Sequence, residues 1–311
     1  MPQQKYKYLF GPVPSRRLGR SLGVDIIPLK TCTQNCIYCQ LGKDAPQTLE
    51  RKEYAPINAV LDELKTKIAD GLQADFITIS GSGEPTLHSG LGKLIDGINA
   101  VTRIPVAVIT NGTLLSRPDV RSDCCKADVV LPSLDAGDAQ TFQKMNHPHP
   151  DLNFGQYVDG LIRFRSEYTG QIWLEVFFCE GVNTSEKAIS NLKTRIAQIK
   201  PEKIQINTSV RPVVHPEAAR VEPERLTSIA RLLSEHAEVI ADFSRHVSTV
   251  GQIADLNVIL ETLRRRPCSL EDLCAGLGLS KKQLEPALVK LQALSKITTE
   301  QKGQKKYYKP L

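Results

Sequence analysis

The sequence predicts an α/β fold: a partial (β/α)6 barrel followed by a small winged helix-turn-helix domain. Two observations support this prediction. First, short β-branched segments alternate with amphipathic patterns about six times, and connections of this length favour parallel strands with right-handed crossovers. Second, the pattern changes near residue 250, after which three short helices and a hairpin are expected. Because a complete barrel needs eight units, about six units predict a partial or open one.

The larger domain, predicted to span residues 1–250, contains six short apolar strands. They are expected at Gly23–Pro28, Asp75–Ser80, Ile104–Thr110, Asp128–Leu131, Gln171–Phe178 and Lys203–Asn207. Apolar residues recur at helical spacing between them, and Asn58 is the expected N-cap of the first helix. The predicted helices are Asn58–Ala69, Leu91–Val101, Phe154–Tyr168, Ser185–Ile199 and, after a proline-rich loop, Glu224–His236.

The smaller domain, predicted to span residues 251–311, has a different pattern. Three helices are expected. The first spans Leu256–Arg266, and the second begins at Ser269 and is ended by Gly276 and Gly278. The third spans Ser280–Leu294 and takes the recognition-helix position. A hairpin follows across Gly303. The segment is basic, and its lysines could contact phosphates, with two tyrosines able to stack on bases. These residues are Lys281, Lys282, Lys290, Lys302, Lys305, Lys306, Lys309, Tyr307 and Tyr308. A solvated lysine-rich surface, or a protein-docking module, is the alternative interpretation.

Composition narrows the class of protein. The chain has 311 residues, a formal net charge of +6 and 41% hydrophobic residues, enough for a substantial core. It has no apolar run near the ~20 residues of a membrane-spanning helix, and its first residues lack the apolar stretch of a signal peptide. We therefore expect a cytoplasmic protein without a membrane partner. In that compartment the eight cysteines should be reduced, metal-binding or buried.

Three closely spaced cysteines, Cys32, Cys36 and Cys39, predict a metal centre in the loop after the first strand. No fourth cysteine or histidine follows nearby, although a structural zinc site needs four ligands. Three thiolates instead suit an iron–sulfur cluster with one iron left open for a non-protein ligand. A zinc site completed by His88 or His147 is the alternative.

Polar motifs also follow the later strands, at the edge where barrels and open sheets place their active sites. Gly81-Ser82-Gly83-Glu84 follows the second strand, Asn111-Gly112 the third, and Ser133-Leu134-Asp135 the fourth. This common location favours an enzyme. Simpler interpretations exist for each motif. Glu84 could cap a helix, Asn111-Gly112 could form an ordinary turn, and Ser133 and Asp135 could cap the following helix.

The three-cysteine motif, with Tyr38 before its last cysteine, resembles that of the radical S-adenosylmethionine (radical SAM) superfamily. Gly81–Glu84 resembles the family's glycine-glycine-glutamate segment, with Ser82 in place of the middle glycine. The resemblance extends to Asn111-Gly112 and Ser133–Asp135. Gly11–Arg20 resembles a group of Fe–S oxidoreductases that is related to the radical enzyme of wybutosine modification in tRNA and, more distantly, to the molybdenum-cofactor cyclase.

This resemblance implies a partial barrel of radical SAM type, a cofactor pair and a mechanism. Cys32, Cys36 and Cys39 would each hold one iron of a [4Fe-4S] cluster, whose open iron is chelated by S-adenosylmethionine (SAM). An external electron donor would reduce the cluster, and reductive cleavage of SAM would give a 5′-deoxyadenosyl radical that removes hydrogen from the substrate. The family's pattern also assigns cofactor contacts. It places Glu84 near the SAM amino group, Gly81 and Gly83 against the methionyl moiety, Tyr38 beside the adenine, Asn111 as a polar anchor, and Ser133 and Asp135 at the ribose or carboxylate.

Other polar residues are weaker candidates. Arg16, Arg17 and Arg20 could bind an anionic group of cofactor or substrate, or lie in solvent. Three strand residues could line the substrate cavity or form an internal hydrogen-bond network, namely Glu175, Gln205 and Asn207. The remaining cysteines show no spacing typical of a second cluster, and we expect them to be buried thiols.

Three functional hypotheses follow. In the first, a radical SAM enzyme acts on a nucleic acid or nucleotide that the basic winged helix helps to hold. In the second, the enzyme acts on a protein or small metabolite, and the winged helix is a docking module. In the third, the protein is a transcription regulator that senses through an Fe–S cluster, which would leave the motif at Gly81–Glu84 without a purpose.

Overall fold

The computed structural model describes residues 6–15, 17–41, 47–210, 215, 217–240, 256–265, 267–277, 279–303 and 305–311. Its main sheet has eight strands, arranged in the order in which they occur along the chain. The strands are β1 Leu9–Ser15, β2 Gly19–Val24, β3 Phe76–Ile79, β4 Val106–Thr110, β5 Val129–Pro132, β6 Gln171–Phe178, β7 Lys203–Thr208 and β8 Ala237–Val239. β1 and β2 form an antiparallel hairpin, and the later neighbours are parallel.

Helices connect the parallel strands and cover one face of the sheet. They are α1 Ile57–Ala69, α2 Leu91–Val101, α3 Pro118–Cys124, α4 Ala139–Asn146, α5 Phe154–Glu167, α6 Glu186–Ile199 and α7 Pro223–Leu233. Their apolar faces form a continuous core with the sheet. Because side chains alternate along a strand, a second apolar cluster lies on the opposite, concave face. It contains Leu18, Ala107, Val129, Leu131 and Trp173. This architecture confirms the predicted partial barrel.

The first predicted strand, Gly23–Pro28, is wrong in its placement. The strand is β2, which ends at Val24, and the following residues enter the next loop. Asp25 departs from the sheet to accept hydrogen bonds from the backbone N–H of Ser82, at 3.1 Å, and from its hydroxyl, at 2.6 Å. The sequence analysis also missed β1 and the short edge strand β8.

The expected N-cap of the first helix is also wrong. Helix α1 begins at Ile57, one residue before Asn58, and Pro56 occupies the capping position. The side chain of Glu53 accepts the N–H of Ile57 at 3.3 Å, so it satisfies one of the free donors at the start of the helix.

Residues 256–311, which we call the C-terminal module, contain the predicted order of helices and hairpin. The elements are α8 Leu256–Arg265, β9 Cys268–Ser269, α9 Leu270–Leu277, α10 Lys281–Ala293, β10 Ile297–Lys302 and β11 Lys305–Pro310. They share an apolar core of their own. The boundary predicted near residue 250 lies outside the described residues, and the winged-helix assignment stays a prediction.

The C-terminal module contacts the barrel at β1 and after β7. Helices α8 and α9 lie against β1, one edge strand of the sheet. The hydroxyl of Tyr307 donates a 2.6 Å hydrogen bond to the carbonyl of Val210, which follows β7. The module therefore contacts both the first strand and the segment near the other edge of the open sheet. None of the helices in the described residues has the length and apolar character needed to cross a membrane.

Candidate functional site

The loop between β2 and α1 carries the three cysteines, and α4 fixes its position. The N–H groups of Asn35 and Ile37 donate to the carbonyls of Asn146 and Met145, each at 3.0 Å. Within the loop, the N–H of Cys39 donates to the carbonyl of Cys36 at 3.0 Å. These backbone bonds hold the cysteine segment at the carboxyl ends of the barrel strands, where sequence analysis placed it.

The three thiols lie in an environment that disfavours the free thiolate. All three are half-buried and outside any disulfide. Burial is the main cause that raises the pKa of Cys32 to about 12, and it also raises the pKa values of Cys36 and Cys39. A thiolate in such a place needs a nearby cation, so the donor set fits a soft, positively charged metal centre such as iron in a cluster.

Amide side chains support two of the sulfurs. Asn111 Nδ2 lies 3.4 Å from the Sγ of Cys32, and Asn146 Nδ2 lies 3.4 Å from the Sγ of Cys36. Donors of this kind stabilise negative charge on sulfur. The sequence analysis missed Asn146, which precedes His147, one of the two histidines considered as a zinc ligand.

A single-ion site is not preformed. Among the described residues, no group of three or more His, Cys, Asp or Glu side chains converges to hold one metal ion. Thiolates of an iron–sulfur cluster bind separate irons and need not converge on one point. His88, one candidate to complete a zinc site, is fully buried with both ring nitrogens in hydrogen bonds, to the backbone of Ala55 and Gly90.

The Gly81–Glu84 segment packs tightly against the start of the cysteine loop. Gly81 has a φ of +152°, and a Cβ there would lie 2.3 Å from Cγ of Asp25. A Cβ on Gly83 would lie 2.2 Å from the carbonyl oxygen of Thr31. The N–H of Glu84 donates to that same carbonyl at 3.0 Å. Ser82, the departure from the family pattern, is accommodated because its hydroxyl binds Asp25.

Glu84 is 2% exposed, and its carboxylate joins two strand ends. Oε1 accepts the N–H and hydroxyl of Thr86 and the hydroxyl of Thr110, whereas Oε2 accepts the N–H of Asn111 at 2.7 Å. Through its bonds to Thr86, Glu84 caps the short helical turn Pro85–Leu87, as the alternative interpretation expected. Burial raises the pKa of Glu84, and these hydrogen bonds oppose the rise.

Asn111 connects this carboxylate to the cysteine loop. Its N–H binds Glu84, its Nδ2 reaches Cys32 and, at 2.7 Å, the hydroxyl of Thr33. Its Oδ1 accepts the N–H and the hydroxyl of Thr113. One residue after β4 thus holds together two motifs that are far apart in the sequence.

Asp135 anchors the other side of the cysteine loop. Its Oδ2 accepts the hydroxyl of Tyr38 at 2.5 Å and Nδ2 of Asn146 at 2.7 Å, while Oδ1 accepts the N–H of Phe177 at 2.8 Å. Burial is the main cause that raises the pKa of Asp135 to about 6. Both oxygens are therefore engaged inside the protein. The helix that follows is capped by Asp138, so Asp135 does not serve as its cap.

Tyr38 and Ser133 also have partners within the protein. The ring of Tyr38 stacks on that of Phe177, with centroids 4.0 Å apart. Ser133 accepts the hydroxyl of Tyr157 through its carbonyl and donates its N–H to Thr110 at 3.1 Å. The two residues lie at the expected edge of the barrel, and their contacts with a cofactor stay predictions.

A cavity of about 300 Å³ lies on the concave side of the barrel and is bordered by Gly81 and Gly83. Arg17 Nη1 lies 2.6 Å from Oε2 of Glu175 beside it, and Asn207 Nδ2 donates to Oε1 of Glu175 at 3.1 Å. Gln205 is buried and bonded to Glu238 instead. Arg16 lies outside the described residues. Asn207 therefore lines the cavity, while Glu175, Gln205 and Asn207 also make the internal hydrogen bonds that the sequence analysis gave as the alternative.

Curated relatives cover most of the chain. A protein named GTPase Obg from Brachyspira hyodysenteriae is 36% identical over 303 residues, which is 95% of this chain but 44% of that protein. The chain thus spans less than half the length of this relative. It contains no Gly-x-x-x-x-Gly-Lys-Ser/Thr run, the pattern of a phosphate-binding P-loop. A UPF0026 protein from Methanocaldococcus jannaschii is 34% identical over 233 residues, covering 74% of this chain and 71% of that protein.

Solved structures share the fold at low sequence identity. A structure of TYW1 with a lysine-pyruvate adduct bound has a TM-score of 0.56 at 18% identity, covering 73% of this chain and 76% of that one. A radical SAM methyltransferase from Sphaerobacter thermophilus has a TM-score of 0.52 at 16% identity, covering 71% and 66%. Streptococcus suis SuiB bound to S-adenosylmethionine has a TM-score of 0.51 at 15% identity, covering 71% and 50%.

The sequence model described as Radical SAM superfamily matches residues 26–191, just over half of the chain. This span includes the cysteine loop, Gly81–Glu84, Asn111 and Ser133–Asp135. With the partial barrel and the relatives above, it shows that the chain belongs to the Radical SAM superfamily, whose enzymes use a [4Fe-4S] cluster and S-adenosylmethionine.

Proposed function

We propose that Cys32, Cys36 and Cys39 of this radical SAM enzyme hold the [4Fe-4S] cluster and that Glu84 and Asn111 belong to the SAM site beside it. One observation carries the proposal. A continuous hydrogen-bond path runs from the Sγ of Cys32 through Asn111 to the carboxylate of Glu84. The residues that would hold the cluster and those that would hold SAM are therefore one connected unit.

Glu84 is suited to a cationic group. In the described residues, its Oε2 accepts one hydrogen bond, although a carboxylate oxygen can accept about two. Burial is the main cause that raises its pKa. An ammonium group beside it would favour the ionised form, which is the role that the resemblance gives this residue toward SAM.

Gly81 and Gly83 would present backbone to the same ligand. Both border the cavity, and the space that a side chain would need is filled by Asp25 and by Thr31. Asp135 would act by position: it holds Tyr38 and Asn146, and Asn146 in turn contacts the Sγ of Cys36. Ser133 and Tyr38 would complete the cofactor site at the neighbouring strand end.

When bound and reduced by an external donor, the cofactor pair supplies a carbon radical that can remove a hydrogen atom from substrate. The chain's part is to fix both groups and to exclude water and competing hydrogen donors. The buried carboxylates of Glu84 and Asp135, each held by several hydrogen bonds, provide a rigid frame for that purpose.

The proposed activity is tested by anaerobic reconstitution of the full chain with iron and sulfide, followed by a reductant and SAM. We expect 5′-deoxyadenosine to form in a reaction that requires both the reductant and the bound iron. Absence of this product from protein that has its full iron and sulfide content would contradict the proposal.

The Fe–S-sensing regulator receives no support, since the matching superfamily and the similar structures are enzymes. A nucleic-acid substrate remains a second hypothesis, resting on exposed lysines of the C-terminal module. These are Lys282, Lys290, Lys305 and Lys306.

Other residues of the expected nucleic-acid surface are engaged within the protein. Lys281 pairs with Glu271 at 3.1 Å, and Lys309 with Glu300 at 2.5 Å. Tyr307 is 4% exposed, so its ring is not free to stack on a base. If tRNA or DNA is nevertheless bound, we expect its affinity for the full chain to fall steeply with added salt.

A further inference from the structure

The cavity on the concave side of the barrel is small, partly enclosed, and lined by both polar and apolar side chains. Its volume of about 300 Å³ is at the lower end of the range for small-molecule sites, roughly 300–1,000 Å³. Five hydroxyl side chains line it, namely Ser15, Ser21, Thr78, Ser80 and Thr262. Gly81 and Gly83 border the same space. A molecule in the cavity would therefore lie next to the proposed SAM site.

Arg17 gives the cavity a cationic group with unused donors. Its side chain is 15% exposed and is oriented by the 2.6 Å contact between Nη1 and Glu175. That contact is its one side-chain partner among the described residues, whereas a guanidinium has five N–H donors. Because a guanidinium can pair with carboxylates along more than one edge, Arg17 can bind a second anionic group without leaving Glu175.

The C-terminal module forms part of the cavity wall. Thr262 of α8 and Ile240, which follows β8, both line the space. Helices α8 and α9 lie on β1, and Tyr307 binds Val210 after β7. The module therefore borders the cavity from the side of the first strand. A small molecule fits the space as it is.

We propose that the substrate is a small carboxylate-bearing molecule, held by Arg17 in a cavity whose wall is formed in part by the C-terminal module. The inference deepens the proposed function and rests on it for the chemistry, although binding itself needs neither cluster nor SAM. It gives the C-terminal module a role in forming the substrate cavity in place of nucleic-acid capture.

The anion site is tested with the apo full-length chain by equilibrium dialysis of radiolabelled succinate at constant ionic strength. We expect saturable binding that acetate and citrate displace and that succinamide, the uncharged analogue, does not. Arg17→Gln should weaken binding at least about tenfold, the loss typical of a charge-assisted hydrogen bond. The matched control is Arg20→Gln, since Arg20 is half-exposed and pairs with Asp75. We expect its affinity to be unchanged.

Three results would overturn the anion site. They are absence of saturable binding by all three carboxylates, equal displacement by succinamide, and equal weakening by Arg17→Gln and Arg20→Gln. Arg17 would belong to the cofactor site instead if Arg17→Gln weakened SAM binding to the reconstituted protein as much as succinate binding.

The wall is tested by Thr262→Leu, which adds apolar volume to the cavity. We expect weaker succinate binding by a variant that stays folded, as judged by circular dichroism. Thr227→Leu, on the exposed face of α7, is the control. Unchanged affinity in Thr262→Leu, or competition between tRNA and succinate, would contradict the proposed role of the module in forming the cavity wall. Failure of SAM cleavage with intact succinate binding would refute only the proposed function, whereas cleavage without carboxylate binding would refute only this inference.

Discussion

Replacing Cys36 with serine is expected to remove the cluster and abolish SAM cleavage. A serine hydroxyl is a hard, weakly acidic ligand, whereas cluster irons prefer soft thiolates. Cys36 is also the cysteine whose Sγ contacts Asn146, so its loss removes one link between the loop and Asp135, and the bond from Tyr38 to Asp135 remains. Iron in the reconstituted protein should fall from about four ions per chain to near zero. Iron and sulfide analysis, together with 5′-deoxyadenosine formation, measures the effect.

Cys125→Ser is the matched control for this change. Cys125 is half-buried, lies at the end of α3, and has its Sγ 3.9 Å from the carbonyl of Glu167. We expect this variant to keep the iron content and activity of the parent protein. Equal loss in both variants would mean that cysteine replacement harms the fold in general, and retention of activity in Cys36→Ser would contradict its role as a ligand.

Gly83→Ala is expected to separate the Gly81–Glu84 segment from the cysteine loop. The added Cβ would lie 2.2 Å from the backbone oxygen of Thr31 and 2.4 Å from Cγ2 of Ile27, and a backbone atom cannot move aside cheaply. The strain should cost about 1–3 kcal/mol of unfolding free energy, as overpacking usually does. Glu84 donates its N–H to the same oxygen, so the change should also displace Glu84. We therefore expect the free energy of SAM binding to decrease by more than the free energy of unfolding.

Thermal unfolding and SAM binding to the reconstituted variant measure these two effects. Gly155→Ala is the control, since the nearest atom to its added Cβ is Oδ1 of Asn153 at 3.1 Å, the end of a side chain. It should keep both stability and SAM affinity. A Gly83→Ala variant with parental SAM affinity would show that close approach of this segment to the loop is unnecessary.

The barrel could be predicted because each of its helices and strands is indicated by residues that are close together in the sequence. Helix α2, Leu91–Val101, and strand β6, Gln171–Phe178, have the predicted bounds, since apolar periodicity and flanking polar residues define them within a few positions. The position of the cysteine loop followed for the same reason: a loop after a parallel strand must lie at the carboxyl edge of the sheet.

Long-range contacts explain what the sequence did not reveal. Asp25 leaves the first strand to bind Ser82, 57 residues later in the chain. Asp135 binds Tyr38, 97 residues earlier, instead of capping the next helix. Arg17 finds Glu175 across the barrel, 158 residues away. Local periodicity carries no information about such pairs, so the support for the cysteine loop and the contents of the cavity became visible only in the folded chain.

The most direct test of the central claim is electron paramagnetic resonance of the reconstituted, reduced protein before and after addition of SAM. A cluster held by Cys32, Cys36 and Cys39 alone has an iron without a protein ligand, so its spectrum should change on SAM binding. We expect the signal of a reduced [4Fe-4S] cluster with g-values that shift when SAM is added. A spectrum unaffected by saturating SAM, or purified protein that contains zinc in place of iron and sulfide, would contradict the claim.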